Sequence, residues 1–269
     1  MPVPLLTPGD TYRTPEDTPR HSWLARFCPG VSALFYASVY HSINTGCKLV
    51  QAGQYNDNDQ IWYERSIEIF RGMEKVGGRI EITGLDILKG LTGPVVYVGN
   101  HMSSLETVIL PCIFLGYGRL CFVMKEELTT MPLFGPVVSA NKPITVGRAN
   151  GKADLEKVLR EGAQRLQDGR SVCIFPQGTR SAAFDPKKFN SLGSKLAHRA
   201  GVPIVPFAVK TDFWSQGWPI KDLGWIRPER PVKVAFGPLI PAGTDSKQSH
   251  AACVAFVQER LAAWGAGRS

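Results

Sequence analysis

Between residues 79 and 236, short apolar runs of strand character alternate with longer segments of helical period. The strand-like runs are Arg79–Thr83, Val95–Val98, Leu120–Met124, Pro143–Val146, Ser171–Phe175, Val202–Val209 and Val232–Phe236. Between them, Thr107–Leu115 follows Ser103-Ser104-Leu105-Glu106, and Asp154–Leu166 sets Leu155, Val158, Leu159, Ala163 and Leu166 on one helical face. Leu192–Ala200 stops at Gly201, and Ser246–Trp264 supplies a closing helix. Strands that alternate with helices must cross over to pair in parallel, which predicts an α/β fold: a mixed, largely parallel sheet flanked by helices. Ligands of such sheets bind beyond the carboxyl ends of the strands. That is where His101, Lys125 and Arg180 fall, each just after a predicted strand or at its end.

The chain ahead of this region reads differently. Residues 1–21 carry five prolines and are expected to form an extended arm. Residues 22–76 are expected to be helical, and Thr18 to Asn56 contains no Asp or Glu. There Val31, Phe35, Val39 and Ile43 recur every four residues, with Trp23, Phe27, Tyr36 and Tyr40 as interfacial aromatics. No run of about eighteen apolar residues occurs, so no spanning helix is expected. Two readings stay open for this segment: an amphipathic element lying in a membrane surface, which adds an N-terminal membrane-associating part to the α/β domain of residues 77–269, or an ordinary core helix. In the second helix of the segment, Asp57 or Asp59 is the expected cap.

Charge narrows the partners. Lys and Arg number 31 against 23 Asp and Glu, a net charge of +8 that favours an anionic partner. No basic stripe interleaved with stacking aromatics is present, so an anionic membrane surface is expected and nucleic acid is not. The six cysteines show neither C-x-x-C nor a ligand-like spacing with histidine, so free thiols in a reducing compartment and no metal site are expected. Together these lead us to expect a protein peripheral on the cytoplasmic face of a membrane.

The chemistry-bearing stretch is Pro94-Val-Val-Tyr-Val-Gly-Asn-His101-Met-Ser-Ser-Leu-Glu106. His101 stands between a strand end and a helix start, and Glu106 follows five residues on. Glu106 can accept a hydrogen bond from one ring nitrogen and leave the other as a base. Ser103-x-x-Glu106 is equally a capping box, in which the glutamate reaches back to the backbone at the helix start. Both roles remain open for Glu106.

Four pieces then stand in order: Asn100-His101-x4-Glu106; Lys125 with Pro132-Leu-Phe-Gly135; Phe175-Pro-Gln-Gly-Thr-Arg-Ser181; and Val202-Pro-Ile-Val-Pro206. Over roughly residues 80–240 this resembles the glycerolipid acyltransferase family that includes 1-acyl-glycerol-3-phosphate acyltransferases. The resemblance implies a His-x4-Asp dyad, here HX4E, with His101 as the general base and Glu106 in the place of the aspartate. It implies acceptor-binding roles for Lys125, Gln177, Gly178, Thr179 and Arg180, with Lys125 and Arg180 on the phosphate of a lysophospholipid. Pro132, Phe134, Val202, Pro203 and Ile204 are acyl-groove candidates on the same ground. Gln177 stands where family members usually carry Glu, which either alters the head group accepted or preserves the same hydrogen bonds.

The implied activity is transfer of a fatty acyl group from acyl-CoA or acyl-carrier protein to a lysophospholipid, above all 1-acyl-glycerol-3-phosphate, with no bound cofactor. Another lysolipid, an aminolipid or a lipid A precursor is the rival acceptor. A catalytically silent lipid-binding protein is the rival of a different class.

Overall fold

A computed structural model describes residues 9–18, 29–220 and 222–265. Eight strands form one sheet in the order β1-β2-β8-β7-β3-β6-β4-β5. They are β1 (Thr11–Arg13), β2 (Ile80–Thr83), β3 (Val96–Gly99), β4 (Arg119–Lys125), β5 (Ile144–Val146), β6 (Arg170–Ile174), β7 (Ile204–Lys210) and β8 (Val232–Phe236). The helices are α1 (Pro29–Gln51), α2 (Asp59–Lys75), α3 (Leu85–Lys89), α4 (Leu105–Phe114), α5 (Phe134–Ala140), α6 (Gly151–Gln167), α7 (Leu192–Ala200) and α8 (Ser246–Ala263). The five strands from β7 to β5 are mutually parallel, so their carboxyl ends share one edge. β8 runs antiparallel to β7, and β1 antiparallel to β2.

The period of two in the central strands explains the layers. On β3, β6 and β7, the side chains of Val96, Val98, Val172, Ile174, Ile204 and Ala208 enter one core with α6, α7 and α8. Their neighbours Tyr97, Cys173, Val205, Phe207 and Val209 point the other way, into the core beneath α1, α2 and α4. Central strands buried on both faces are continuous apolar runs, which is what made them legible.

Three expectations are corrected. Part of the expected arm belongs to the sheet: Thr11–Arg13 pairs with Glu81–Thr83 as an antiparallel edge strand. On α1, of the two readings left open, the stripe follows the core-helix one and not the membrane-surface one: Phe35 is fully buried and Val31 and Val39 nearly so. Phe35 meets the edges of Phe213 and Trp214 at ring distances of 5.5 and 5.3 Å, so the four-residue period records a core face. Trp23 and Phe27 lie outside the described residues. The cap of α2 is Asn58, whose Oδ1 accepts from Gln60 and Ile61 N–H at 3.1 and 3.2 Å. Asp57 and Asp59 instead pair with the buried Arg170 at 2.6 and 3.4 Å, at the amino edge of the sheet. No helix among the described residues is long and apolar enough to cross a membrane. Five cysteines (47, 112, 121, 173 and 253) are free and buried, and Cys28 lies outside the described residues.

Candidate active site

The site is built where β3 ends. Gly99 sits so close to the Phe207 ring that a Cβ would fall against the ring carbons, so glycine is required there. Asn100 then replaces the backbone ladder with its own amide: Nδ2 donates to Val209 O at 2.9 Å, and Oδ1 accepts from Val209 N–H at 2.8 Å. This buried clamp fixes the point at which the chain leaves the sheet. His101, the next residue, is held from the loop after β6: its N–H donates to Gln177 Oε1 at 2.7 Å, and its carbonyl accepts from Ser181 N–H at 2.9 Å. Its ring stacks on Phe175 with centroids 4.4 Å apart.

Nδ1 of His101 lies 2.8 Å from Glu106 Oε1. The same oxygen accepts from the N–H groups of Met102 at 2.5 Å and Ser103 at 2.8 Å. Glu106 Oε2 accepts from the Thr211 hydroxyl at 2.5 Å and the Ser103 hydroxyl at 3.0 Å. Ser103 Oγ in turn accepts from Leu105 N–H at 3.1 Å. The capping box and the dyad are therefore one arrangement, and a single fully buried carboxylate makes both sets of contacts. Burial alone would push that carboxyl up; the hydrogen bond and charge of His101, the Thr211 hydroxyl and a backbone N–H outweigh it and hold the group below its ordinary range. An ionised carboxylate only accepts, so Nδ1 is the donor toward Glu106, and in the neutral ring the lone pair falls on Nε2. No other hydrogen bond to this ring is present among the described residues.

Arg180 follows on the same loop. Its Nη1 contacts both Ser104 Oγ and Asp222 Oδ1, and Ser104 Oγ also donates to Asp222. Burial would raise the Asp222 carboxyl, but the hydrogen bonds from Arg180 and Ser104, with the charges of Arg180 and His101, hold it below the usual range.

The other candidates are distributed unevenly. Gln177 turns inward to the His101 backbone, a bond that a Glu carboxylate would also accept, so its contact is a positioning one. Gly178 has a φ of +71°, the left-handed region, and open space where a Cβ would stand. Thr179 is exposed beside it. Lys125 ends β4 level with Asn100 but two strands away, about 10 Å at the usual strand spacing, and its ammonium is taken by Glu127 at 2.8 Å. Pro132 and Phe134 open α5, where Leu133 O accepts from the Cys47 thiol of α1 at 2.6 Å. Val202, Pro203 and Ile204 are not brought to His101. Ile204 starts β7, at the edge opposite the Thr211 end and roughly 20 Å from it by strand rise, and it is buried in the core with α7 and α8. They line no groove at the dyad. Thr211 and Asp222 are the residues the sequence reading missed; the one available signal was Thr211's place just after a predicted apolar strand.

This constellation has counterparts. The Acyltransferase family model matches residues 79–210, which span the whole dyad and the Arg180 loop. A 1-acyl-sn-glycerol-3-phosphate acyltransferase of Pseudomonas aeruginosa is 32% identical over 205 residues, covering 76% of this chain and 74% of that protein. The chain belongs to the glycerolipid acyltransferase family. It is an O-acyltransferase of that family. A lyso-ornithine lipid O-acyltransferase, also of Pseudomonas aeruginosa, is 29% identical over 116 residues, 43% of this chain and 44% of that protein. Among solved structures, the 1-acyl-sn-glycerophosphate acyltransferase PlsC of Thermotoga maritima superposes with a TM-score of 0.62 at 20% identity, over 87% of this chain and 96% of that one. That likeness shows the fold of this family member.

Proposed function

We propose that the protein moves a fatty acyl group from an acyl thioester, acyl-CoA or acyl-carrier protein, to the free hydroxyl of 1-acyl-glycerol-3-phosphate and yields phosphatidate. His101 Nε2 takes the hydroxyl proton as the oxygen attacks the thioester carbonyl. The tetrahedral intermediate collapses with cleavage of the C–S bond, and the thiolate takes the proton back from Nε2. Glu106 orients the ring and stabilises the imidazolium between these steps. Arg180 holds the acceptor's phosphate, which a guanidinium matches with paired N–H donors. The reaction runs on the cytoplasmic face of a membrane to which the protein is peripherally bound.

The observation that carries this reading is the buried Glu106 carboxylate 2.8 Å from Nδ1 of His101, which supports Nε2 as the base. The name of the Pseudomonas relative that aligns over 205 residues supports the acceptor. A second reading, an aminolipid acceptor, is supported by the lyso-ornithine lipid relative. Purified protein offered acyl-CoA or acyl-carrier-protein donors against lysophosphatidate, lyso-ornithine lipid and other lysolipids, read by mass spectrometry, separates the two. Phosphatidate is the expected major product. Preferential acylation of the lyso-ornithine lipid would replace the first reading by the second.

A further inference from the structure

The segment after β7 buries Phe213, Trp214 and Ile226 but leaves four other large apolar side chains outside. Trp218 is 94% exposed, Leu223 62%, Ile220 55% and Trp225 52%. A folded chain rarely presents several large apolar groups from one short stretch without a partner for them. The same stretch is tied down from beneath. Tyr36 of α1 donates to Gly224 O at 2.5 Å and Asp222 O at 3.2 Å, and Trp214 Nε1 donates to Asp222 O at 3.1 Å. One helical step outward from Tyr36 stands Tyr40, 59% exposed, on a helix with no acidic residue.

The inner side of that stretch bears on the site. Asp222 occupies Arg180, the cation assigned above to the acceptor's phosphate. Asp222 takes Nη1 of this guanidinium, so an anionic acceptor that uses the paired donors on that side competes with Asp222 for it. Apolar side chains outward and a competing carboxylate inward belong to the same few residues. The exposed side chains and the carboxylate on Arg180 are thus linked through a few residues of one chain segment.

We infer that Trp218, Ile220, Leu223 and Trp225, with Tyr40 beside them, form the surface that seats on a phospholipid bilayer, and that seating exchanges Asp222 for the lipid's phosphate on Arg180. The inference rests on the reading that the acceptor is an anionic lysolipid. Tryptophan and tyrosine favour the headgroup boundary, where an apolar body and a polar tip are both satisfied. The acid-free α1 and the net charge of +8 suit an anionic lipid surface better than a second copy of this chain, which carries the same positive charge. The surface lies against the Ser104–Arg180–Asp222 cluster, so a lysolipid leaving the bilayer meets Arg180 directly.

The test uses the full chain with phosphatidylcholine vesicles doped with phosphatidylglycerol. Trp218→Ser/Leu223→Ser alters only exposed side chains, so its melting temperature should match that of the wild type. Flotation should show vesicle binding weakened about tenfold or more, since removing even part of two such side chains from the interface costs on that order. The rate on vesicle-borne lysophosphatidate should fall with it, while the rate on dispersed short-chain lysophosphatidate stays within about twofold. Asp222→Asn should raise the rate on the dispersed acceptor severalfold, and by a larger factor than it raises the vesicle rate.

Retained vesicle binding in the double variant overturns the proposal. So do equal losses on both acceptors, which would make the stretch a support of the site, and so does an Asp222→Asn variant slowed on both. A concentration-dependent dimer in solution that the double variant abolishes would assign the face to a second copy of the chain. Should the wild type acylate neither form of lysophosphatidate, the reading of its substrate fails, and flotation alone then decides the surface.

Discussion

Glu106 accepts from two backbone N–H groups, two hydroxyls and the His101 ring, so replacing it by Gln tests the charge more than the shape. A Gln oxygen can take the Oε1 contacts, and its NH2 can donate to hydroxyls that rotate to accept. Glu106→Gln should therefore fold and yet lose about 10²–10⁴-fold in rate, because the imidazolium has lost its counter-charge. Near-normal kcat would leave Glu106 as a cap only. The same residue has an acid-side signature. Its carboxyl is held below the ordinary 4.5, so its contribution to stability is complete above that value and is lost as pH falls through the depressed one. Thermal melts of wild type and Glu106→Gln across this range should converge toward the acid end. Arg180→Lys offers a point charge without the planar fork, and it should cost ~2–5 kcal/mol in kcat/KM for lysophosphatidate and far less for monoacylglycerol. Equal losses on both acceptors would make Arg180 a support of the loop. His101 and Arg180 were legible because each follows a strand-like run. Asp222 was not, because no periodicity in its tryptophan- and glycine-rich stretch indicates which side chain turns back to the site.

At the scale of elements, α1 shows what a period can and cannot reveal. The spacing Val31–Phe35–Val39 identified an apolar stripe correctly, but a stripe that faces lipid and one that faces protein have the same spacing. What decides between them is the partner, here Phe213 and Trp214, which lie more than 170 residues away in sequence. Phe35→Ala should accordingly destabilise the fold by ~3–5 kcal/mol in denaturant unfolding, as expected for an aromatic truncated in a core. Leu34→Ser, at a position 65% exposed, should stay within about 0.5 kcal/mol of the wild type. Comparable effects at the two positions would contradict the packing of α1. The short edge strand β1 was illegible for a related reason. Three residues carry no detectable alternation, and pairing with β2 alone makes them a strand.

Across the whole molecule, the parallel centre of the sheet gathers β3, β6 and β7 so that His101, the Arg180 loop and Thr211 emerge side by side at one edge. Alternating strands and helices made that edge predictable before any contact was known. The fourth motif block lies at the other end of β7: Val202, Pro203 and Ile204 are a strand's length from the dyad, and Ile204 is part of the core. The central claim is that His101 Nε2 is the base in acyl transfer to a lysophosphatidate hydroxyl. The most direct test is the initial rate of phosphatidate formation by His101→Ala, measured by mass spectrometry beside wild type, with matched melting temperatures and vesicle flotation. The account predicts a loss of ~10²–10⁴-fold with the fold and vesicle binding intact. A folded variant that keeps more than about a tenth of the wild-type rate would remove His101 from the mechanism.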